Sequence, residues 1–247
     1  IMSGDRSGTV ALVTGASRGI GEAIAGMLYA GGATVYLLGR HRTTLEEACR
    51  RIAERTSRGD SAASLHPLPL DLSHSEEIDE LIASFPEDRL DLLVNNAGVA
   101  QPRLLEETSD AEWALHFRVN VEAPFRLIRG LLPRLTASSR PGVVNIGSVV
   151  STQGYREQGA YTASKHALLG LTKVYARELH DRGVRVFSVE PGGVATDMVR
   201  YMRPDIDPSA LMEPETVANT VEYLLSLDDR AMIDQIQIRR GTKEPWS

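Results

Sequence analysis

The 247-residue chain contains a single cysteine, Cys49. That excludes an intramolecular disulfide and any cysteine-rich metal site. Lysine is almost as scarce: Lys165, Lys173 and Lys243 stand among 27 basic residues, and arginine supplies the rest. No apolar run approaches the roughly 20 residues that span a bilayer. The start, Ile1-Met2-Ser3-Gly4-Asp5-Arg6, lacks the apolar core of a signal peptide. There is no basic stripe either. Net charge is −6, and the basic cluster from Arg40 to Arg58 is interleaved with Glu46, Glu47 and Glu54, as on a solvated helix face. Nucleic acid is therefore not an expected partner. None of the six histidines has metal-ligand spacing such as His-Glu-x-x-His, so no metal is expected. No linker, composition break or repeat divides the chain. We read one domain over residues 10–247, preceded by an N-terminal extension, residues 1–9, in which Ile1 ahead of Met2 is read as an expression remnant. A cytoplasmic protein with no membrane span is expected.

What is present is an alternation of short apolar runs and amphipathic stretches. Val10–Thr14, Ala33–Leu38, Leu65–Leu70, Leu90–Val94, Val143–Ile146, Val184–Val189 and Ile236–Ile238 have the length and composition of strands. Pro67 and Pro69 put the third of these at a sheet edge. Helical stretches intervene: one ends at Gly31-Gly32, one runs from Thr43 to Arg58, a short one is capped by Ser73 or Ser75, and a long one from about Asp110 carries Asn120 and Pro124. A further apolar helix opens at Ala160 and runs to Leu179. Such alternation predicts an α/β fold, a single Rossmann-like, doubly wound domain with about seven parallel strands and helices on both faces. Ligands of such a sheet bind beyond the carboxyl ends of the strands. The unusual residues fall there: Gly15 to Gly21, Gly39-Arg40, Asp71-Leu72, Asn95 to Gly98, Ser148, and Pro191-Gly192-Gly193.

Two local patterns carry chemistry. Gly15-Ala16-Ser17-Arg18-Gly19-Ile20-Gly21 joins the first strand to the first helix, the arrangement that aims free backbone N–H groups at a phosphate. Its spacing, G-x-x-x-G-x-G, is not the commoner G-x-G-x-x-G. The second pattern is Tyr161 with Lys165, one helical turn apart and so on one face. Of the seven tyrosines only Tyr161 is followed four residues on by lysine. An ammonium beside a phenol favours the phenolate and is expected to pull its pKa below the usual value of about 10. A tyrosine so tuned can act as a general acid or base. A structural Tyr–Lys contact is the alternative for such a pair in isolation.

The ordered set Thr14-Gly-Ala-Ser-Arg-Gly-Ile-Gly21, Asp71-Leu72, Asn95-Asn-Ala-Gly98, Asn120, Ser148, Tyr161-Thr-Ala-Ser-Lys165 and Pro191-Gly-Gly-Val-Ala-Thr196 resembles the short-chain dehydrogenase/reductases over nearly the whole chain. The resemblance implies a hydride-transferring oxidoreductase for a small-molecule carbonyl or secondary alcohol. Tyr161 would exchange the proton and Ser148 would hold the carbonyl oxygen. Lys165 would grip the nicotinamide ribose and tune Tyr161, and Asn120 would bend its helix and hold a water serving Lys165. Gly15, Ser17, Arg18, Gly19, Ile20 and Gly21 would hold the cofactor's pyrophosphate. Asp71 and Leu72 would flank the adenine, Asn95 and Ala97 its ribose, and Val194 and Thr196 the carboxamide.

The end of the second strand holds Gly39-Arg40 where an NAD enzyme would carry an acid. With Arg18 opposite, the expected cofactor is NADP(H). The C-terminal stretch, Ile236-Gln-Ile-Arg-Arg-Gly241 in place of a terminal Asp-Gly-Gly, is similar to the branch containing clavulanate dehydrogenase, 3-hydroxy-acid dehydrogenases and some carbonyl reductases. A 3-oxoacyl-type ketoreductase and a non-catalytic NADP-binding regulator are the alternatives. A serine hydrolase built on Ser148 is disfavoured, since Ile146-Gly147-Ser148-Val149-Val150 lacks the second glycine of a nucleophile elbow. The substrate pocket is expected between Val99–Leu104, Val150–Tyr155 and a loop near 194–213, where Met198, Tyr201, Met202 and Met212 suit a lid. Arg103 and Arg156 could welcome an acidic group, but isolated surface arginines are the preferred reading. Ala163, Ala167, Gly170 and Val174 leave an apolar outer face on the Tyr161 helix, so a homodimer or homotetramer is expected.

Overall fold

The computed structural model describes residues 4–56, 63–228 and 230–244. Seven strands form one parallel sheet: β1 (Val10–Thr14), β2 (Thr34–Gly39), β3 (Leu65–Pro69), β4 (Leu92–Asn95), β5 (Gly142–Ile146), β6 (Arg185–Pro191) and β7 (Gln235–Ile238). Their spatial order is β3-β2-β1-β4-β5-β6-β7. The prolines of β3 are tolerated because β3 is an edge strand paired only with β2.

Two-residue periodicity divides the core into two layers. Ala11 and Val13 of β1, Val35 and Leu37 of β2, and Leu92 and Val94 of β4 face one side. There they pack against α1 (Gly19–Gly31), α2 (Arg42–Arg55) and α8 (Pro214–Ser226) through Ile24, Leu28, Leu45, Ile52, Val217 and Val221. The alternate residues Leu12, Tyr36, Leu38 and Leu93 face the other side. They meet α3 (Ser75–Ser84), α5 (Ala123–Thr136) and α6 (Gly159–Glu178). Both faces are covered at the centre of the sheet, which is why β1, β2, β4 and β5 read as nearly continuous apolar runs, while the edge strands β3 and β7 do not.

The chain departs from the sequence reading at several places. The α8 helix has no counterpart there. Neither Ser73 nor Ser75 caps α3; His74 occupies the cap, its side chain bonded to Glu77 and to no helix N–H, and Glu77 also accepts from the Asp71 backbone N–H at 2.9 Å. The expected end of α2 at Arg58, and the tail beyond Glu244, lie outside the described residues. Residues 4–9, read as part of an extension, are built into the domain. Arg6 Nη2 lies 2.7 Å from Glu222 Oε2 of α8, with both side chains largely buried, and its backbone N–H donates to Gly31.

The long helix expected from Asp110 is α4 (Asp110–Phe117) continued by α5, with a π-helical turn at Arg118–Glu122 between them. Asn120 sits in that turn and is fully buried. Such single π turns distort a helix where a side chain must be presented inward.

Candidate active site

The strand order reverses direction between β1 and β4, and ligands of an open α/β sheet bind at such a switch point. A cleft of about 890 Å³ lies there, over the carboxyl ends of the strands. Its floor at one end is the β1–α1 turn. Gly15 has φ 64°, and a Cβ there would sit 2.8 Å from the Ala97 Cα, so both the conformation and the space require glycine. Asn96 clamps this turn: its Nδ2 donates to the Thr14 and Gly15 carbonyls at 2.9 and 3.2 Å. The Thr14 hydroxyl oxygen in turn accepts from the Asn96 and Ala97 N–H groups at 3.0 Å each. Helix α1 begins without any side-chain cap. Its first N–H groups therefore face the cleft with the positive end of the helix dipole, which suits a pyrophosphate.

Ser17, Arg18, Gly19 and Ile20 line the cleft, as do Arg40, Asp71, Leu72, Ala97, Val194 and Thr196. Two residues assigned to the cofactor do not. Asn95 is buried inside the sheet, where its Nδ2 donates to Asn145 Oδ1 at 2.8 Å, and Asn145 donates to Thr172 of α6. The alternation of β4 turns Asn95 to the interior; Asn96 and Ala97 are the members of that motif which reach the cleft. Gly21 is a packing glycine whose missing Cβ makes room for the Gly15 carbonyl and the Asn96 amide.

Arg40 is exposed at the rim beside Asp71. Burial works against the Asp71 carboxylate, but the Ser73 N–H and hydroxyl, with His74 and Arg40, outweigh it and hold its pKa below the ordinary value. Arg18 reaches across the mouth to Asp197 of α7 (Asp197–Met202), with Nη1 2.9 Å from Oδ2. Both side chains are more than half exposed, so this pair contributes no more than about 1 kcal/mol and a stronger anion displaces it.

At the other end of the cleft stand Ser148, Tyr161 and Lys165. Lys165 is buried, and its Nζ lies 5.9 Å from the Tyr161 ring centroid, as the i,i+4 spacing on α6 predicts. Its direct bond, however, is to the Ile146 carbonyl at 2.8 Å. The expected drop in the Tyr161 pKa is not found. Burial pushes the phenol up to about 12; the Ser148 hydrogen bond pulls it down and the charge of Glu190 adds to the rise. Burial in turn lowers Lys165 to about 8, with Glu190 opposing. Desolvation outweighs the ammonium because Nζ is turned toward Ile146, not toward the phenol oxygen.

Glu190 carried no role in the sequence reading. It is 1 % exposed at the end of β6, and Oε2 accepts from the Ser148 N–H at 2.6 Å while Oε1 accepts from Ser188 Oγ at 2.5 Å. The carboxylate lies against Gly147, where any Cβ would overlap it. An acid directly ahead of Pro191-Gly192, after the apolar Val186, Phe187 and Val189 of β6, was the available signal. The Ser148 hydroxyl meets the Tyr161 phenol and accepts from the Val150 N–H, its own N–H donates to Ser151 and Glu190, and none of these partners is a histidine.

Asn120 holds the loop after β4 through its amide. Oδ1 accepts from Val99 N–H at 2.8 Å, and Nδ2 donates to the Val99 carbonyl and to Ser164 Oγ at 2.9 Å each. A Cβ on Gly98 would lie 3.3 Å from Asn120 Oδ1 and 3.7 Å from Lys165 Nζ. Polar atoms of both side chains therefore border Gly98. The substrate end is bordered by Val99, Gln101, Leu115, Val150 and Tyr155, by α7, and by Arg239, Arg240 and Lys243 of the C-terminal stretch. Met212 is not in the cleft but packs on the core. Arg103 and Arg156 pair with Glu112 and Glu157 and do not line it. Among the described residues no cluster of His, Cys, Asp or Glu could hold a metal. No helix among them is long and apolar enough to cross a membrane.

A sheet of this order, a glycine turn under an uncapped helix, and a Ser–Tyr–Lys cluster at the opposite end of one cleft define a dinucleotide-dependent oxidoreductase of the short-chain type. Residues 9–207 match the short chain dehydrogenase family, and the chain belongs to it. It is similar to the 3-oxoacyl-[acyl-carrier-protein] reductase FabG of Escherichia coli K12, 35% identical over 234 residues that cover 92% of this chain and 93% of that protein. The FabG of Vibrio cholerae is 34% identical over 229 residues, covering 89% and 90%. Among solved structures, a metagenomic short-chain oxidoreductase in complex with NADP superposes with a TM-score of 0.80 at 35% identity, covering 95% of this chain and 98% of that one. A short-chain dehydrogenase of Escherichia coli CFT073 complexed with NADPH gives 0.84 at 34% identity, covering 94% and 96%.

Proposed function

We propose that the protein is an NADP(H)-dependent oxidoreductase that interconverts a carbonyl compound and its secondary alcohol, with Tyr161 as the general acid/base. The observation that carries this reading is the meeting of Ser148, Tyr161 and Lys165 at the end of the cleft opposite the β1–α1 turn. Bound there, the nicotinamide supplies the hydride.

The chain's own residues would do the rest. In the reducing direction Tyr161, a neutral phenol at physiological pH, gives its proton to the carbonyl oxygen. The Ser148 hydroxyl, set by the Glu190 contact to its N–H, donates to the same oxygen as it gains negative charge. Lys165 offers a charge beside the phenolate that forms, which lowers the cost of proton release. Asn120 and Lys165 both border Gly98, and a water held by their polar atoms would return a proton. Asn120 thus acts by positioning the Val99 loop and that water.

The nucleotide would lie along the glycine turn, with its pyrophosphate on the N–H groups of α1 and its adenine near Asp71 and Leu72. Arg40, with Arg18 released from its weak pair to Asp197, would grip a 2′-phosphate. The NADP and NADPH complexes of similar proteins support this preference.

A second reading, reduction of a 3-oxoacyl thioester, is favoured by the FabG relatives. The assembly expected from the sequence belongs to our reading too: Gly170 and Val174 are exposed on the outer face of α6, with Ala163 and Ala167 half-buried beside them. Pairing of two chains through that face gives a dimer or tetramer, and we place the protein in the cytoplasm. The deciding experiment is cofactor absorbance with NADPH and a panel of ketones, aldehydes, oxo acids and 3-oxoacyl thioesters. Loss of NADPH that Tyr161→Phe abolishes supports the reading; inertness toward the whole panel sinks it.

A further inference from the structure

The chain carries a net charge of −6, yet the cleft is strongly cationic. Arg18, Arg40, Lys165, Arg200, Arg203, Arg239, Arg240 and Lys243 line it, against only two acids, Asp71 and Asp197. Both acids belong to the nucleotide end, where Asp71 faces Arg40 and Asp197 pairs with Arg18 and Arg200. A dinucleotide's phosphates account for the cations at that end. They do not account for the group at the other end, beside Val149 and Tyr155.

That group is built into the fold. The C-terminal stretch leaves β7 with its Ile238 carbonyl accepting from the Gly192 N–H at 2.7 Å. It then turns back on itself: Lys243 N–H donates to the Arg240 carbonyl at 3.1 Å, and Arg239 Nη1 donates to the Lys243 carbonyl at 2.7 Å. Lys243 Nζ donates to the Tyr155 hydroxyl at 2.5 Å, which fixes the turn to the wall of the cleft. Arg203 is satisfied by Asp205, with bonds of 2.8 and 2.7 Å. Arg240 is different. It is half-buried, its Cδ and Nε lie 3.0 and 3.2 Å from where a Gly193 Cβ would be, and its only acidic neighbour among the described residues is Asp205, which acts on it through charge while its oxygens are bound by Arg203. With Asp205 engaged by Arg203, the N–H donors of the Arg240 guanidinium remain open to a further anion, and half-buried donors are stabilised when one completes them.

We propose that Arg240 is the recognition site for a carboxylate on the substrate, so that the preferred substrates are oxo acids and not neutral ketones. The proposal rests on the carbonyl-reductase reading above and names its substrate class. Gly193 is what lets Arg240 lie against the β6 loop. The guanidinium fork binds a carboxylate through two parallel hydrogen bonds, and so fixes the distance from the acid to the reacting carbonyl.

The test compares acetoacetate and laevulinate, whose acid and carbonyl are differently spaced, with their methyl esters under NADPH. For at least one pair the acid should have the higher kcat/KM, and Arg240→Gln should lower the acid-to-ester ratio about tenfold or more, with Arg240→Lys retaining part of it. A binding readout independent of turnover accompanies this: quenching of cofactor fluorescence in the NADPH-loaded protein by butyrate, expected, and by butyramide, not expected. Esters reduced as well as acids in both pairs, or an Arg240→Gln ratio equal to wild type, overturns the carboxylate site and leaves the reductase reading standing. If nothing is reduced but butyrate still binds in an Arg240-dependent way, the anion site stands and the reductase reading falls. Failure of butyrate to bind, together with no acid preference, refutes the proposal.

Discussion

The tightest constraint at the site is the contact between Gly147 and Glu190, and Gly147→Ala tests it. The new Cβ would lie 2.5 Å from the Glu190 Cδ and 2.6 Å from Oε1, and closer still to Oε2. A side-chain tip usually moves aside cheaply, but this one is buried and held by Ser148 N–H at 2.6 Å and Ser188 Oγ at 2.5 Å. Hydrogen bonds to a charged group contribute about 1.5–3 kcal/mol each, and overpacking a filled core costs about 1–3 kcal/mol. Loss of one bond with some residual strain gives a destabilisation of about 3 kcal/mol. That is a sizeable part of the roughly 5–15 kcal/mol that holds a domain folded. For a chain of this length it lowers Tm by about 6–12 °C. Because the displaced carboxylate would release the Ser148 N–H, turnover should fall more than stability implies. Urea unfolding of wild type, Gly147→Ala, Glu190→Ala and the double variant forms a thermodynamic cycle. With the carboxylate removed, the added methyl should cost under about 1 kcal/mol, since a cavity now receives it. Equal costs of Gly147→Ala in both backgrounds would refute the reasoning, and so would a wild-type-like Gly147→Ala protein.

Other consequences are open to direct measurement. Tyr161→Phe should lower turnover by roughly 10²–10⁴-fold while leaving NADPH affinity nearly unchanged, because the ring stays in place; near-normal turnover would remove Tyr161 from the chemistry. Arg40→Ala should weaken NADPH binding about tenfold or more and hardly alter NADH, and titration of both nucleotides would expose an NAD preference if wild type bound NADH more tightly. Reduction should decline as pH rises through about 8, where buried Lys165 loses its charge, while the phenol stays protonated up to about 12. The Glu190 charge supports the Lys165 cation, so Glu190→Gln should move that alkaline limb to lower pH; a limb that stays in place would separate it from Lys165.

The sequence by itself determined the layered architecture, because strands covered on both faces must be largely apolar, and short runs such as Val10–Thr14 and Val143–Ile146 alternate with amphipathic helical stretches along the chain. It also determined the edge position of β3 from its prolines and the shared face of Tyr161 and Lys165 from helical spacing. The register of these local patterns is fixed by backbone geometry, so they survive translation into the fold. Helix α8 had an available signal, Pro214 at its start ahead of an apolar face, that the strand-centred reading passed over.

Tertiary structure alone decided the rest, since it depends on which distant groups meet. Asn95 and Asn96 are adjacent and chemically identical, yet strand alternation buries the first against Asn145 and gives the second the glycine turn. Glu190 is 42 residues from Ser148 in the chain and touches its N–H. Burial raised Tyr161 where spacing to a lysine suggested the opposite, because desolvation is set by everything packed around a group and not by its nearest neighbour on a helix. The basic end of the cleft comes from β7 pairing with β6, which carries Arg239, Arg240 and Lys243 back to the cleft beside the loop after Pro191. No local pattern in Arg239-Arg240 announces that meeting.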